Sequence, residues 1–400
     1  MADSSLVALS RAYESGGYGL PTDLSAVAFT KMRFTAESLQ ANTNVAVSNE
    51  IRGDRQRAFV ARVGLAAGGD IDFELSYGAF DEELMAMLQV GAWSTPITVT
   101  ASTISASSVD NSLNGSGGSE FDTIVAGRWV KVSGFTGAGI TANAGVFKVV
   151  SKPTNAKIIL GGGALVTDAA GESVTVYQPG TIENSTTLRT YAIQRIYGSD
   201  VPSDVGALFR GMCFDKLSLS IPRDNIVTGK FGLIGKNEAT ITSVQGSGVS
   251  ENVQNDVLTG VDNVPVVWEG TGAGTGMGTY GITEGTLEMA NNLRTRLQVG
   301  TLGAVSIGSG TIDLTGTLNA YFANATVMNK YLNWTTSGVA FKLVDSAGNI
   351  LVIEMPRVKY TNGRRVAGGI NTDIIAAMDW TAFRHPTEDV TIRISRFPIA

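Results

Sequence analysis

Four hundred residues are enough for two or three domains, each with its own core. Only 16% are charged while 48 are glycine, the balance of an all-β chain with many turns whose nominal surface is partly covered by neighbours. A net charge of -6 disfavours a protein that holds nucleic acid by neutralising phosphates, but suits a surface that nucleic acid must slide past. The single cysteine, Cys213, excludes an intramolecular disulfide framework and points to assembly in a reducing cytoplasm.

Residues 1–20 lack the charged start and apolar run of a signal peptide, and no stretch reaches about 18 consecutive apolar residues, so neither a leader nor a membrane helix is expected. Leu6 to Leu20 reads as an ordered arm or turn, and Val27 to Leu39 as a strand. Asn42 to Arg62 is too charged for a core and too long for a hairpin tip, so it reads as a projecting loop. The strand Ile71–Tyr77 follows, then the turn Gly78-Ala79 and a helix over Phe80–Val90. Asp81, Glu82 and Glu83 stand in that helix's first turn, where its dipole favours negative charge, and Leu84, Met87 and Leu88 give it an apolar face.

From Ser94 to about Gly118 the chain is rich in Ser, Thr and Gly and reads as a linker. Short strands over Arg128–Phe135, Val146–Val150, Lys157–Leu160 and Ser173–Tyr177 make a small β-barrel or sandwich. Longer strands return at Leu188–Tyr197, Asp215–Ile221 and Gly229–Gly235. Glu238 to Gly281 connects onward through Gly270–Gly278, whose composition is flexible.

The chain then repeats itself. Gly69–Tyr77 recurs as Gly310–Leu318 at a constant offset of 241, continuing through Phe80/Tyr321 and Met87/Met328, with a second helix expected over Tyr321–Leu332. After that helix only Trp334–Gly338 precede the next strand, whereas the first copy has Ser94 to Gly180 at the same place. The small β unit is therefore an insertion at a helix-to-strand junction, and the arginine-bearing loop belongs chiefly to the first copy.

Sites for chemistry are scarce. The one histidine, His385, precedes a proline and reads as a turn residue. Gly270–Gly278 lacks the Gly-Lys-Ser/Thr ending of a phosphate loop. Asp70, Asp72 and Glu74 alternate and so share one strand face, either solvated or lining a channel where they would repel phosphate; the repeat keeps only Asp313. No catalytic, cofactor or metal residue is expected. The arginines of Asn42–Arg62 fit either a solvated loop or an arm whose planar guanidinium groups pair with carboxylates of an adjacent subunit, and the length and mixed charge of the segment favour the arm.

Ser48–Gln56, Gly69–Gly78 and Phe80–Leu88 closely resemble the opening half of the tail tube proteins of long-tailed bacteriophages, while Glu354–Val358 and Val390–Arg396 look like that family's final strands. The resemblance implies a mainly β chain with two tandem tail-tube-like β-sandwich or barrel domains, each with a flanking helix, plus a small inserted β-domain. It divides the chain into a first tube domain (1–96 and 181–240), an insertion on the tube exterior (97–180), a connection (241–281) and a second tube domain (282–400).

It further implies a structural virion protein whose rings stack into the tail's conduit for DNA, assembled in the host cytoplasm. Partners would be the tape measure protein, the tail terminator and the distal tail proteins, with no membrane. An inter-ring contact loop would comprise Glu50, Arg52, Asp54, Arg55, Arg57 and Arg62. Because this chain carries two tube domains, trimeric rings with pseudo-sixfold symmetry are expected, with hexameric rings as the other arrangement. The alternatives are a decoration or receptor-binding β-module, and a glycan hydrolase, which needs paired carboxylates about 5–10 Å apart.

Overall fold

The computed structural model describes residues 6–21, 23–198, 206–260, 266–269, 282–322, 325–366 and 369–399, so the Gly270–Gly278 stretch lies outside the described residues. The chain is mainly β, organised as a large curled sheet system and a separate seven-stranded sheet. The centre of the molecule is one antiparallel run of strands. Val60–Glu74 pairs with Thr228–Gly235, which pairs with the second half of Gly206–Pro222. That half pairs with Ile282–Ala290, followed by Asp313–Tyr321, Ile375–Ala382 and the second half of Ile350–Val366.

Alternation sets the two faces of this run. Ile71, Phe73, Leu217, Leu219, Phe231, Leu287, Met289, Leu314, Met378 and Trp380 point to one side and are buried. They belong to a core that continues under both copies of the repeat, instead of the separate cores expected from length. Phe73 and Phe231 stack at 4.4 Å between ring centroids within it.

Topology repeats as well as sequence. The two 17-residue strands, Gly206–Pro222 and Ile350–Val366, each bend so that the second half joins the central run while the first half joins an outer layer. In the first copy the outer layer runs Ala8–Tyr13, Tyr191–Ile196, Gly206–Pro222, Asn237–Ile241. In the second it runs Val266–Glu269, Ser337–Val344, Ile350–Val366, Arg393–Phe397. The motif glycines mark equivalent bends. A Cβ at Gly69 would lie 2.4 Å from the Ser38 carbonyl oxygen, and one at Gly310 would lie 2.5 Å from that of Asn292.

Several sequence expectations need correction. The strand expected over Val27–Leu39 is two short ones, Ala28–Lys31 in the outer layer and Ala36–Glu37 beside Val60–Glu74. The helices are shorter than expected, Asp81–Met87 and Thr326–Leu332. They stand four residues apart from the constant offset, so Phe80/Tyr321 and Met87/Met328 are not equivalent positions. The first-turn carboxylates do more than face a dipole. Asp81 pairs with Arg396, Glu82 with Arg189 at 2.8 Å and Glu83 with Arg11 at 2.5 Å, tying the helix to the strands Arg393–Phe397 and Ala8–Tyr13 and to the segment that leads into Tyr191–Ile196.

The Ser94–Gly118 segment is not a linker. It holds the strands Ile97–Ala101, Ile104–Ser107 and Ser112–Gly115 of the seven-stranded sheet, which has its own core around Phe121, Val130, Phe147 and Leu160. This sheet does not stand apart. Trp129 and Val146 pack on Ala340, Ile350, Val352 and Phe397 of the second copy's outer layer. The return strand Gly180–Glu183 then extends that layer by pairing with Arg393–Phe397. The seven-stranded sheet thus follows Asp81–Met87 in sequence and is fastened to the outer layer that contains Ile350–Val366.

Candidate assembly surfaces

The face of the central run opposite the core is polar. Asp70, Asp72 and Glu74 project from it, half-exposed, between the buried Ile71 and Phe73. Pairing places Lys230 directly opposite Asp72, with its ammonium 3.2 Å from Asp72 and 3.7 Å from Asp70. Hydrogen bonding to Asp72 raises the Lys230 pKa, so this lysine stays charged. Ser218 sits opposite both Lys230 and Glu288. Asp313 lies further along the same face and accepts a hydrogen bond from Asn292 Nδ2 at 2.8 Å.

The sequence singled out four of these carboxylates. It missed Glu284, Glu288 and Asp379, and the cations Lys216, Lys230 and Lys359, which cross-strand pairing brings onto the same face. The missed signal is the same alternation: Glu284, Thr286 and Glu288 bracket the buried Gly285 and Leu287.

The second surface is the pair of edges that end the run. Among the described residues, Lys359–Arg365 is paired on one side only, with Ile375–Ala382. At the other end, Met32 to Ala36 reaches only Asp72 on Val60–Glu74, beside a crevice of about 260 Å³ lined by Met32, Arg33, Phe34, Thr35 and Glu74. Unpaired edges are templates for a further strand.

The third surface corrects the loop expected over Asn42–Arg62. The segment is a long hairpin in which Gln40–Val47 pairs with Val60–Gly68, and only residues 48–59 form its tip. Every residue of Gln40–Val47 is exposed, as are Glu50, Arg52, Asp54, Arg55, Arg57 and Arg62. The arginines are partly used within the tip: Arg52 pairs with Asp54 at 3.1 Å, and Arg57 donates to the Ser48 carbonyl and Asn49 Oδ1. Hydrogen bonds from Arg52 and the Gln56 amide lower the Asp54 pKa. Beside them stand apolar side chains that sequence reasoning overlooked, above all Ile51, 98% exposed, and Phe59, 68% exposed. The second copy carries a short version of the hairpin, Arg294–Leu297 with Ala304–Gly308.

His385 occupies a turn, its Nδ1 accepting the Glu388 amide. Among the described residues, no group of three or more His, Cys, Asp and Glu side chains is placed to hold a metal, and no helix is long and apolar enough to cross a membrane. A polar sheet face, two open sheet edges and a projecting arm are the surfaces of a subunit that joins copies of itself. A family model described as phage tail tube protein matches residues 4–382. The chain belongs to the phage tail tube protein family. A comparison with curated proteins gives no match. This tail tube subunit is a structural component of the virion tail, and it assembles with itself and with other tail proteins into the tube that conducts DNA. The family's role is structural, which disfavours the decoration, receptor-binding and hydrolase readings.

Proposed function

We propose that three chains close into a ring of six quasi-equivalent tube units, with hexameric rings of chains as the outcome that would replace this reading. The supporting observation is the joint between Lys216–Pro222 and Glu284–Ala290. It links the last central strand of the first copy to the first central strand of the second. The strands of the same two kinds at the far ends of the run have open sides, so the joint inside one chain is a pattern for the joint between chains. The units are 1–96 with 181–240, and 282–400, joined through 241–281, with 97–180 carried on the exterior.

In this ring the polar face of the central run lines the lumen, where Asp70, Asp72, Glu74, Glu284, Glu288, Asp313 and Asp379 outnumber the nearby cations. Screening limits their repulsion of phosphate to about 8 Å at physiological salt, so DNA is kept from adhering without being held away from the wall. Replacing Asp72 and Glu288 together by lysine should leave tubes intact but make them retain DNA in co-sedimentation at low salt. DNA that still fails to bind such tubes would count against a lumenal position for this face.

The Gln40–Gly68 hairpin is the inter-ring arm, and its exposed apolar tip is as much a part of the contact as its arginines. Ile51→Ser with Phe59→Ser should allow rings but shorten stacks several-fold in electron micrographs, because a desolvated aromatic anchor typically dominates such contacts. Stacks of ordinary length would remove the arm from the inter-ring contact. The tape measure, terminator and distal tail proteins are the further partners in this reading.

A further inference from the structure

The internal joint includes a second contact beyond strand pairing. Each helix ends two residues before a residue with positive φ, Gln89 at 51° after Asp81–Met87 and Trp334 at 54° after Thr326–Leu332. Gln89 is sealed in the joint, 3% exposed, and its Oε1 accepts a hydrogen bond from Ser309 Oγ at 2.9 Å. Asn291, fully buried, donates to the Met87 carbonyl at 2.9 Å. The helix end of the first copy is therefore covered by Asn291 and Ser309 of the second.

The equivalent helix end in the second copy is uncovered. Trp334 is 56% exposed and Leu332 is 65% exposed, with the Lys359 ammonium 4.8 Å from the indole centre. The matching bends at Gly69/Ser38 and Gly310/Asn292 set the correspondence on the receiving side. Glu37 stands where Asn291 stands, and Gly68 where Ser309 stands. Both line an open cleft of about 590 Å³ at the base of the arm. Leu39, Leu233 and Arg195 also line it, with Thr295 of the short hairpin beside them. The Arg195 guanidinium holds Glu37 at 2.8 Å, and its buried Nε has no hydrogen-bond partner.

We propose that Trp334 of one chain seats in this arm-base cleft of the next chain and locks the ring. The proposal rests on the ring reading above. The cleft suits an indole: Glu37 offers an acceptor for the indole N–H and the leucines an apolar floor, beside an Arg195 guanidinium already packed over the Tyr197 and Phe209 rings. A glutamine suffices at the internal joint because one chain holds both sides together. A joint between separate chains gains from the larger buried surface of a tryptophan.

The test is made on the full chain. Trp334→Cys with Ser38→Cys, oxidised after assembly, should give a covalent ladder ending in closed rings, while neither single variant does; Cys213 is buried and does not contribute. Trp334→Ala should raise the protein concentration needed for ring formation by about tenfold, in line with loss of an aromatic anchor, with Trp334→Phe recovering part of it. Wild-type rings together with no cross-link and an unchanged Trp334→Ala threshold would overturn the lock while leaving the ring reading standing. A wild-type chain that forms no rings when nucleated would overturn the ring reading and the lock with it.

Discussion

Thr361→Pro is expected to leave the subunit folded and abolish ring closure. Thr361 is exposed and sits where the pairing of Ile350–Val366 with Ile375–Ala382 slips between Tyr360 and Asn362. The bulged residue is outside the ladder on its own side, so a proline there is tolerated by the sheet it belongs to. On the open side it removes an N–H and places a ring where the next strand must lie. Circular dichroism and the melting temperature should stay near wild type, while sedimentation should show only single chains. Rings from this variant would mean that the Lys359–Arg365 edge is not part of the joint.

Glu354→Ala should destabilise the subunit by roughly 3–5 kcal/mol, the usual consequence of stranding a buried ion-pair partner. Glu354 is 3% exposed and Arg393 is 2% exposed. The Glu354 carboxylate accepts from Trp129 Nε1 at 3.0 Å, pairs with Lys148, and lies 3.2 Å from Arg393. Arg393 also reaches Glu183 at 2.7 Å and Glu388 at 2.9 Å. These residues come from the seven-stranded sheet, from Gly180–Glu183 and from the strands Ile350–Val366 and Arg393–Phe397, so the cluster fixes that sheet to the outer layer. Burial alone would raise the Glu354 pKa, but Lys148 and Arg393 outweigh it and hold the carboxyl below its ordinary value. With the folded pKa depressed, this stabilisation is present above the unfolded carboxylate pKa and is lost as pH falls through the folded value. Thermal melts should show Glu354→Ala losing stability at neutral pH and showing less acid sensitivity than wild type. A melting temperature unchanged by the substitution would contradict the clamp. Excising residues 97–180 should likewise require polar replacements at Ile350, Val352 and Phe397 before rings assemble.

The strand-turn-helix of the first copy is legible because its strand alternates and its helix opens on three carboxylates, a signal that the second helix lacks. The hairpin arm was misread as a loop since both of its faces are exposed, which leaves no alternation, and its charges crowd into the tip. Ile97–Ala101 was misread as linker because its outward positions are threonines, although Ile97, Val99 and Ala101 keep the period of two. The clamp was illegible in principle: Lys148, Glu354 and Arg393 are far apart in sequence and meet only through folding. Trp334 passed unnoticed since its meaning lies in a comparison with Gln89 that only backbone geometry supplies.

If one chain supplies two of a ring's six quasi-equivalent units, three chains complete it. Electron microscopy class averages of assembled rings test it most directly. The expected image is a central hole with threefold symmetry and three protruding knobs, each the seven-stranded sheet of one chain. Rings with six identical knobs would contradict it, making each chain a single sixth of the ring.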